Sequence, residues 1–501
     1  MELMLLVAFL LILATLYLAK EKSSTVNLPP GPRPLPFIGH FHLLKRPLYR
    51  SLSDLANQYG PIFSLRLGIR PVVIVSSASL AQECFSKNDI TFASRPRLAL
   101  GKYLGYNYMS VAWAPYGAHW RNLRRIQTLE LLSSRKIEMF AYIRHEQVVA
   151  LLQSIVEASD RGEVVQLKDR INETIFNSIV KMVAGKSYYG CGAKDLDEAK
   201  AFKRAIDETF TLSALFNMGD FIPWLSWLDL RGIRLMKALQ RKRDKLVQSI
   251  VDEHRKLRSG ECYALKPDFI HMLLAMKEED PNYFTDDLIK SLVVVLIVAG
   301  TETTAVTLQW ALALLLNHPD SLHKAQTELD QQVGRDRLVE ESDLSKLRVP
   351  RAIINETLRL YPPVATLVPH ESTAKCTLGG YTMPKGTILM VNAWHIQRDP
   401  YSWPEPLNFK PERFMATEAD VKGQDYRVIP FGSGRRSCPG MGLALRSLEY
   451  VLASLLHAFE WERESPELVD MTVGAGSLLK MAVPLRALTT PRLPPHVYPP
   501  V

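Results

Sequence analysis

The chain has 501 residues, of which 47% are apolar, and a formal net charge of +9. This length is enough to bury a large core in one, two or three domains. The positive charge is spread along the chain, which excludes a nucleic-acid-binding arm and fits a basic docking face or an anionic membrane surface. Five cysteines, far apart and odd in number, argue against a secreted disulfide framework and for a reducing compartment.

A nearly unbroken apolar run, "LMLLVAFLLILATLYLA", occupies residues 3–19. At about 1.5 Å per residue it spans roughly 26 Å, enough for a bilayer core. A cleaved signal peptide is the alternative, but Glu2 precedes the run, the leader has no Lys or Arg, and no small-x-small site comes before Lys20. Because Lys20 and Lys22 follow the run, the positive-inside rule places the rest of the chain in the cytosol. We therefore predict a single retained transmembrane anchor at residues 1–19.

A proline-rich linker follows at residues 20–36. Its five prolines between Pro29 and Pro36 cannot form a helix or a sheet, so they make a stiff, extended spacer. The spacer can simply link two parts or hold a globular body at a fixed angle to the membrane. The body itself is predicted to be residues 37–501.

The body is predicted to be mainly α with a small β-rich part. Residues 61–77, "PIFSLRLGIRPVVIVSS", alternate around a Gly-containing turn and predict a hairpin. Helical periodicity dominates residues 79–350, short strands return at about 365–392, and a helix resumes after Pro439. Strand and helix do not alternate regularly, which argues against a parallel α/β fold.

One long helix is predicted from an N-cap at Thr285 to Asn317. It is apolar on nearly all faces, so we expect it to run through the core. Its centre reads "AGTETT" (299–304), in which Gly300 leaves room beside the backbone. This segment could seat a flat ligand and relay a proton through Glu302, or Gly300 could serve only close helix packing.

The stretch "FGSGRRSCPG" (431–440) places one cysteine after two glycines and two arginines. Pro439 suits the first position of the following helix, so Cys438 should lie near free backbone N–H groups that stabilise a thiolate. No other Cys or His is near in sequence, which makes zinc unlikely to be the metal. The stretch alone fits either a haem ligand with arginines for the propionates or an ordinary surface loop.

Five motifs in one order resemble the cytochrome P-450 family of haem-thiolate monooxygenases over nearly the whole chain. They are "WRNLR" (120–124), "AGTETT" (299–304), "ETLR" (356–359), "PERF" (411–414) and "FGSGRRSCPG" (431–440). The last resembles the family's loop Phe-x-x-Gly-x-Arg-x-Cys-x-Gly without departure. The resemblance implies the cytochrome P-450 fold, preceded here by one N-terminal transmembrane helix.

The resemblance also assigns roles. Cys438 would bind the iron of haem b (iron protoporphyrin IX) as an axial thiolate, and Glu302 and Thr303 would deliver protons. The rest of the haem site would comprise Trp120, Arg124, His370, Arg436, Phe431, Gly432 and Gly440. A buried charge network under the haem would comprise Glu356, Arg359 and Arg413. For His370 an ordinary core or surface histidine is the alternative.

Electrons are expected from outside the chain. No Gly-rich dinucleotide fingerprint lies between a strand and a helix, so this chain should not bind NADPH itself. The family implies a separate NADPH-cytochrome reductase in the same membrane, that of the endoplasmic reticulum. The net positive charge suits an acidic docking partner.

The substrate can be narrowed only by resemblance. "GYNYMSVAWAPYGAHWRNLRRI" (105–126) and "MVAGKSYYG" (182–190) are similar to plant members, above all the group that contains isoflavone 2'-hydroxylase. That group implies an apolar specialised metabolite, most of all a phenolic or flavonoid-type aromatic, that is hydroxylated or ring-closed by oxidative coupling. By the same resemblance the pocket would draw on residues 97–111, 210–221, 296–303, 365–368 and 476–479. A terpenoid hydroxylase, a haem-thiolate isomerase or dehydratase that does not use dioxygen, and a haem-binding protein without catalysis remain as alternatives.

Overall fold

The computed structural model describes residues 27–189, 196–215, 217–258, 268–417 and 419–498. The predicted membrane anchor and the first part of the linker lie outside these residues. Helices make up most of the fold: α1 Leu48–Tyr59, α2 Ala78–Gln82, α3 Ala99–Tyr103, α4 Ala118–Gln127, α5 Ser134–Met139, α6 Ala141–Asp160, α7 Leu167–Ala184, α8 Leu196–Ser213, α9 Leu230–Arg258, α10 Phe269–Glu279, α11 Asp286–Asn317, α12 Pro319–Gln332, α13 Arg348–Leu360, α14 Ala393–Ile396, α15 Arg413–Ala416 and α16 Met441–Ala458.

The strands form three small sheets. They are β1 Ile62–Leu67, β2 Arg70–Val75, β3 Val165–Gln166, β4 His370–Glu371, β5 Cys376–Leu378, β6 Tyr381–Met383, β7 Ile388–Val391, β8 Phe459–Arg463 and β9 Arg486–Pro491. One sheet has the order β1-β2-β7-β4, a second the order β3-β9-β8, and β5 pairs with β6. The prediction of a mainly α body with a small β-rich part is confirmed.

The predicted hairpin is β1 and β2, paired antiparallel with Ile62 opposite Val75 and Leu67 opposite Arg70. Strand β7 joins β2 in parallel, and β4 pairs antiparallel with β7. Because β4 joins the hairpin's sheet through β7, the segment around His370 lies close to the part of the chain just after the hairpin.

Helix α11 is the predicted long helix. The Thr285 side chain accepts a hydrogen bond from the backbone N–H of Leu288 at 3.3 Å, as an N-cap does. The helix packs against α7, α13 and α16, and most of its residues are buried. In the described part of the chain it is the one helix long and apolar enough to cross a membrane, but 67% of that apolar window is buried inside the protein. It is thus a core helix, as predicted.

Candidate active site

The cysteine loop, residues 431–440, turns sharply before α16. The Cys438 backbone N–H donates to the carbonyl of Phe431 at 2.9 Å, which closes the loop. Gly434 has a φ of 67°, and a Cβ there would lie 2.9 Å from the Phe85 carbonyl oxygen, so only glycine fits. The prediction that Pro439 starts the helix is wrong by two residues, because Gly440 is the N-cap and the helix begins at Met441.

The Cys438 thiol faces the interior. Its residue keeps part of its accessible surface, although protein surrounds it closely enough for burial to raise the pKa of the thiol. A hydrogen bond from Gly440 and the charge of Arg124 oppose that rise without cancelling it. A cation beside the sulfur would favour its ionised form, in addition to the backbone N–H groups that the sequence predicts there.

Three guanidinium groups gather near this loop. Arg124 donates to the Ser437 carbonyl at 2.6 Å, next to Cys438. Arg436 donates to the carbonyls of Ala93, Val111 and Ala114, and its guanidinium carbon lies 4.4 Å from the centre of the Trp120 ring. The Trp120 indole N–H donates to the same Val111 carbonyl at 3.2 Å. The predicted residues Trp120, Arg124 and Arg436 are therefore brought together at Cys438.

The third guanidinium belongs to Arg95, which the sequence did not single out. It is buried and donates to the carbonyls of Val368 and Pro369 at 2.6 and 2.8 Å, while its Nε makes no hydrogen bond with a described residue. The nearby Arg97 is exposed. The stretch "SRPR" (94–97) carries no signal that separates the buried arginine from the exposed one.

In the described part of the chain, the buried Arg95 and the half-buried Arg124 and Arg436 lack acidic partners. Among the described residues, none of Arg95, Arg124 and Arg436 forms an ion pair with a carboxylate, unlike Arg435, which pairs with Asp89 at 3.1 Å near the surface. Burial, and for Arg436 the charges of Arg95 and Arg124, lower the pKa of Arg95 to about 9 and of Arg436 to about 8. A cluster of uncompensated guanidinium groups is a site prepared for an anion.

His370 is the first residue of β4 and lies near Arg95 and Arg436. Its Nδ1 donates to the Phe92 carbonyl at 2.7 Å, and the ring packs 5.2 Å from that of Phe85. Burial first, and then the charge of Arg95, holds the pKa of His370 well below its ordinary value. Its hydrogen bond to Phe92 and its packing against Phe85 fix the orientation of the ring.

The centre of α11 has one accessible face inside the molecule. Ala299 is exposed and Leu296 and Thr303 are half-buried, although Ile297 and Thr301 between them are buried. Their spacing of three and four places them on one face of the helix, which indicates a cavity against that face. The Thr303 hydroxyl donates to the Ala299 carbonyl at 2.7 Å. Gly300 points elsewhere: a Cβ there would lie 3.1 Å from Ile179 of α7, so this glycine serves close helix packing.

Glu302 is buried and paired. Its carboxylate lies 2.7 Å from the ammonium of Lys480, which also lies 3.1 Å from the carboxylate of Asp207 on α8. Burial alone would lower the pKa of Lys480, but Glu302 and Asp207 outweigh it and raise that pKa. The sequence missed Lys480 because the predicted pocket segment 476–479 ends one residue before it.

The Glu356 network lies in the core. Arg359 donates to both oxygens of Glu356 at 2.7 Å each, and Arg413 approaches one of them at 3.3 Å. Arg359 also donates to the carbonyls of Gln397, Pro406 and Asn408. Each charge in this network thus has its partner within the protein.

A family model for cytochrome P-450 matches residues 29–485. The chain belongs to the cytochrome P-450 family. Membership makes it an oxidoreductase of the monooxygenase class, whose haem is bound through a cysteine thiolate.

Several curated P-450 proteins of plants are similar over nearly their whole length. The chain is 46% identical to the (+)-piperitol/(+)-sesamin synthase of Sesamum radiatum, over 95% of this chain and 92% of that protein. It is 44% identical to an isoflavone 3'-hydroxylase of Medicago truncatula, over 92% of each. An isoflavone 2'-hydroxylase of Glycyrrhiza echinata is 43% identical over 93% of this chain and 92% of that protein.

A solved P-450 structure shares the fold. A zebra fish cytochrome P-450 determined with progesterone has 27% sequence identity and a TM-score of 0.76, and the match covers 89% of this chain and all of that one. The same P-450 with abiraterone gives a TM-score of 0.74. The expected cytochrome P-450 fold is confirmed.

The residues of this P-450 chain fit a haem. The propionates are two carboxylates, and the cluster offers Arg95, Arg124 and Arg436 without carboxylate partners among the described residues. The iron would be a cation that favours the ionised form of the Cys438 sulfur. A Cβ added at Gly440 would lie 3.9 Å from the Cys438 sulfur, so this glycine lies next to the sulfur. Gly432, with a φ of 67°, shapes the same loop.

Proposed function

We propose that this P-450 is a membrane-anchored monooxygenase that uses dioxygen and NADPH electrons to oxidise an isoflavonoid- or lignan-type phenolic. The observation that carries the proposal is the sulfur of Cys438 beside one buried and two half-buried arginines with no carboxylate partner among the described residues. When bound, the haem supplies the activation of dioxygen. Everything else in the proposal concerns what this chain's residues do.

Cys438 would hold the haem iron through its sulfur. Phe431, at the start of the loop, would shield that sulfur. Arg124, Arg436 and Arg95 neutralise the propionates, and Trp120 keeps Arg436 in place through its ring face. His370, a buried ring that packs against Phe85, would complete this side of the haem site. The network of Glu356, Arg359 and Arg413 holds the core segment before the cysteine loop.

Thr303 and Glu302 deliver protons to the pocket. Thr303 lies on the accessible face of α11 and presents its hydroxyl oxygen there while its proton is shared with the Ala299 carbonyl. Glu302 is the adjacent carboxylate and is reached from the protein exterior through Lys480 and Asp207. General acid–base delivery of this kind contributes about 10²–10⁴-fold to a rate.

One exposed surface of the protein supports the proposed contact with a membrane. Trp224, Trp227 and Leu228 are exposed, and exposed Arg231 and Arg234 follow them in the chain. We call residues 224–235 the apolar patch. Exposed tryptophans with neighbouring arginines are the composition of a membrane–water interface.

The start of the described chain lies next to this patch. Ile38 and Phe41 pack in one cluster with Phe221 and Ile222, which directly precede the patch, and the rings of Phe41 and Phe221 are 5.4 Å apart. A chain that leaves the membrane at the predicted anchor, residues 1–19, and crosses the linker, residues 20–36, would thus enter the body, residues 37–501, beside the patch. We place the protein at the endoplasmic reticulum membrane as a single-pass protein with its catalytic domain in the cytosol.

Electrons are proposed to come from a separate NADPH-cytochrome reductase in the same membrane. The net charge of +9 supports docking to an acidic partner by long-range attraction. Such attraction weakens as the salt concentration rises.

The substrate class is proposed from the relatives and the lining of the pocket. The similar proteins include isoflavone hydroxylases and a synthase of piperitol and sesamin. Both hydroxylation and ring closure therefore occur among the reactions of these relatives. The accessible face of α11 is made by small and apolar residues such as Leu296 and Ala299. An apolar aromatic would bind there mainly by burial of its surface.

The experiment is a substrate screen in yeast microsomes that contain the full chain and a plant reductase. Isoflavones, furofuran lignans and terpenoids are supplied with NADPH, and products are measured by mass spectrometry. We expect an isoflavone or lignan product that gains one oxygen atom or loses two hydrogens. Turnover of terpenoids alone would contradict the proposed substrate class, and no NADPH-dependent product from any compound would contradict the proposed reaction.

A further inference from the structure

The Glu302 carboxylate is fastened by a residue from a distant part of the chain. Residues 472–482, which we call the C-terminal loop, carry Lys480, whose ammonium lies 2.7 Å from Glu302. The Glu302 side chain is only 7% exposed, so an ionised carboxylate there needs a cation nearby. Among the described residues, Lys480 is the cation within ion-pair distance of it.

The same loop is fastened to α8 at several points. The Ser477 hydroxyl donates to the Phe210 carbonyl at 2.8 Å and lies 2.8 Å from the hydroxyl of Ser213. The Lys480 ammonium approaches Asp207 at 3.1 Å. The C-terminal loop therefore follows the last two turns of α8, whose end overlaps the segment 210–221 that the resemblance assigns to the pocket.

The loop is also fixed to the core. The Trp310 indole N–H of α11 donates to the Leu479 carbonyl at 2.6 Å, and the Leu479 N–H donates to the Pro363 carbonyl at 3.0 Å. Lys480 thus leaves from a backbone that is fixed against α11, and its side chain reaches across to α8. Its ammonium joins an interior carboxylate to one that is half exposed, since 50% of the Asp207 side chain is exposed.

We propose that Lys480 is a positioning residue that holds the Glu302 carboxylate ready for proton delivery and couples this to the closure of α8 over the pocket through Asp207. The ammonium has only these two carboxylates within ion-pair distance among the described residues. When α8 lies against the C-terminal loop, both contacts form and Glu302 is fixed. When α8 moves away, Lys480 loses its second anchor and Glu302 its fixed orientation. The inference rests on the proposed monooxygenase function.

The test measures how many of the electrons from NADPH are lost to hydrogen peroxide during turnover. The full-length protein and a reductase in lipid vesicles receive NADPH and the isoflavone daidzein as a probe, and the ratio of hydrogen peroxide to water formed is measured per haem. Because dioxygen is reduced whether or not daidzein is oxidised, the ratio is defined for any pocket ligand. Poor proton delivery raises the ratio.

Lys480→Met should raise this ratio by about tenfold, because it would remove only part of the rate that general acid–base proton delivery contributes. Lys480→Arg should restore it, because a guanidinium can reach both carboxylates. In a Glu302→Gln background Lys480→Met should add no further rise, since the residue acts through Glu302. The matched control is Lys203→Met. Lys203 lies on α8 and also faces an exposed carboxylate, and its removal should leave the ratio unchanged.

The Asp207→Asn variant separates the two contacts of the ammonium. We expect it to raise the ratio less than Lys480→Met does, because the Glu302 contact remains. A rise as large as that of Lys480→Met would overturn the assignment, since it would trace the effect to the packing of α8.

The inference and the proposed function fail in different ways. If Glu302→Gln raises the peroxide ratio but Lys480→Met does not, or if the two effects add, the inference is overturned and the proposed function stands. If the wild-type protein reduces no dioxygen with NADPH and reductase, the proposed function is overturned and the inference with it.

Discussion

Two charge clusters of this protein, each at least partly buried, differ in one respect. The cluster of Glu356, Arg359 and Arg413 contains its own carboxylate, with contacts of 2.7 to 3.3 Å. The cluster of Arg95, Arg124 and Arg436 contains only cations among the described residues, and the pKa of Arg436 falls to about 8 because of burial and its neighbours. We call them the closed cluster and the open cluster.

The difference separates stability from binding. In a closed cluster each charge has a partner within the protein, and removing one member leaves a buried charge without one. An open cluster costs free energy until an anion arrives, so it identifies a site. The carboxylates of a haem would turn the open cluster into a closed one.

The largest effect is expected from breaking the closed cluster. Glu356→Gln leaves the buried guanidinium groups of Arg359 and Arg413 without a carboxylate, which should cost roughly 3–5 kcal/mol of unfolding free energy. Urea unfolding followed by circular dichroism measures the loss. Glu412→Gln, in an exposed pair with Lys324, is the control and should change little. Equal stability of the two variants would contradict the role of the closed cluster.

A smaller effect is expected from removing part of the open cluster. Arg436→Ala should leave the protein folded but lower the fraction of molecules that retain haem, because a propionate loses its partner. Haem content per protein, measured by absorbance after purification, checks this. The neighbouring Arg435→Ala, whose side chain pairs with Asp89 near the surface, is the matched control. Equal haem retention by both variants would show that position 436 does not bind the cofactor.

The smallest effect concerns a second closed pair away from the haem site. His254 of α9 lies 3.0 Å from Asp268, the N-cap of α10. Burial lowers the pKa of His254, but Asp268 outweighs it and the net shift is upward, while the pKa of Asp268 is lowered.

The sign of the pH dependence follows from these shifts. Stability from His254 is fully present below its unfolded pKa of about 6.5 and is lost as the pH rises through the raised folded value. Stability from Asp268 is present above its unfolded value and is lost as the pH falls through its lowered folded value. The free energy of unfolding lost in His254→Gln should thus be larger at pH 6 than at pH 9. A loss that is independent of pH would contradict an ionic pair.

The sequence predicted the parts of this structure that depend on local patterns. The hairpin, the capped core helix from Thr285 and the mainly α fold followed from periodicity and capping, and the residues around Cys438 followed from a resemblance. The residues that the sequence did not predict are those whose role depends on which side chains the fold buries. Nothing local distinguishes the buried Arg95 from the exposed Arg97, and Lys480 meets Glu302 only through the tertiary fold. Similarly, Pro439 suits the first helical position, but the tight loop delays the helix to Met441.

The central claim is that the open cluster and Cys438 together bind haem through a thiolate. The most direct test is the absorbance spectrum of the reduced, carbon-monoxide-treated protein, compared between the wild type, Cys438→Ser and Cys376→Ser. Cys376 is also a half-buried free cysteine but lies in β5, away from the open cluster. We predict the Soret maximum that is characteristic of thiolate ligation for the wild type and Cys376→Ser, and its loss in Cys438→Ser. Retention of that maximum in Cys438→Ser would contradict the account.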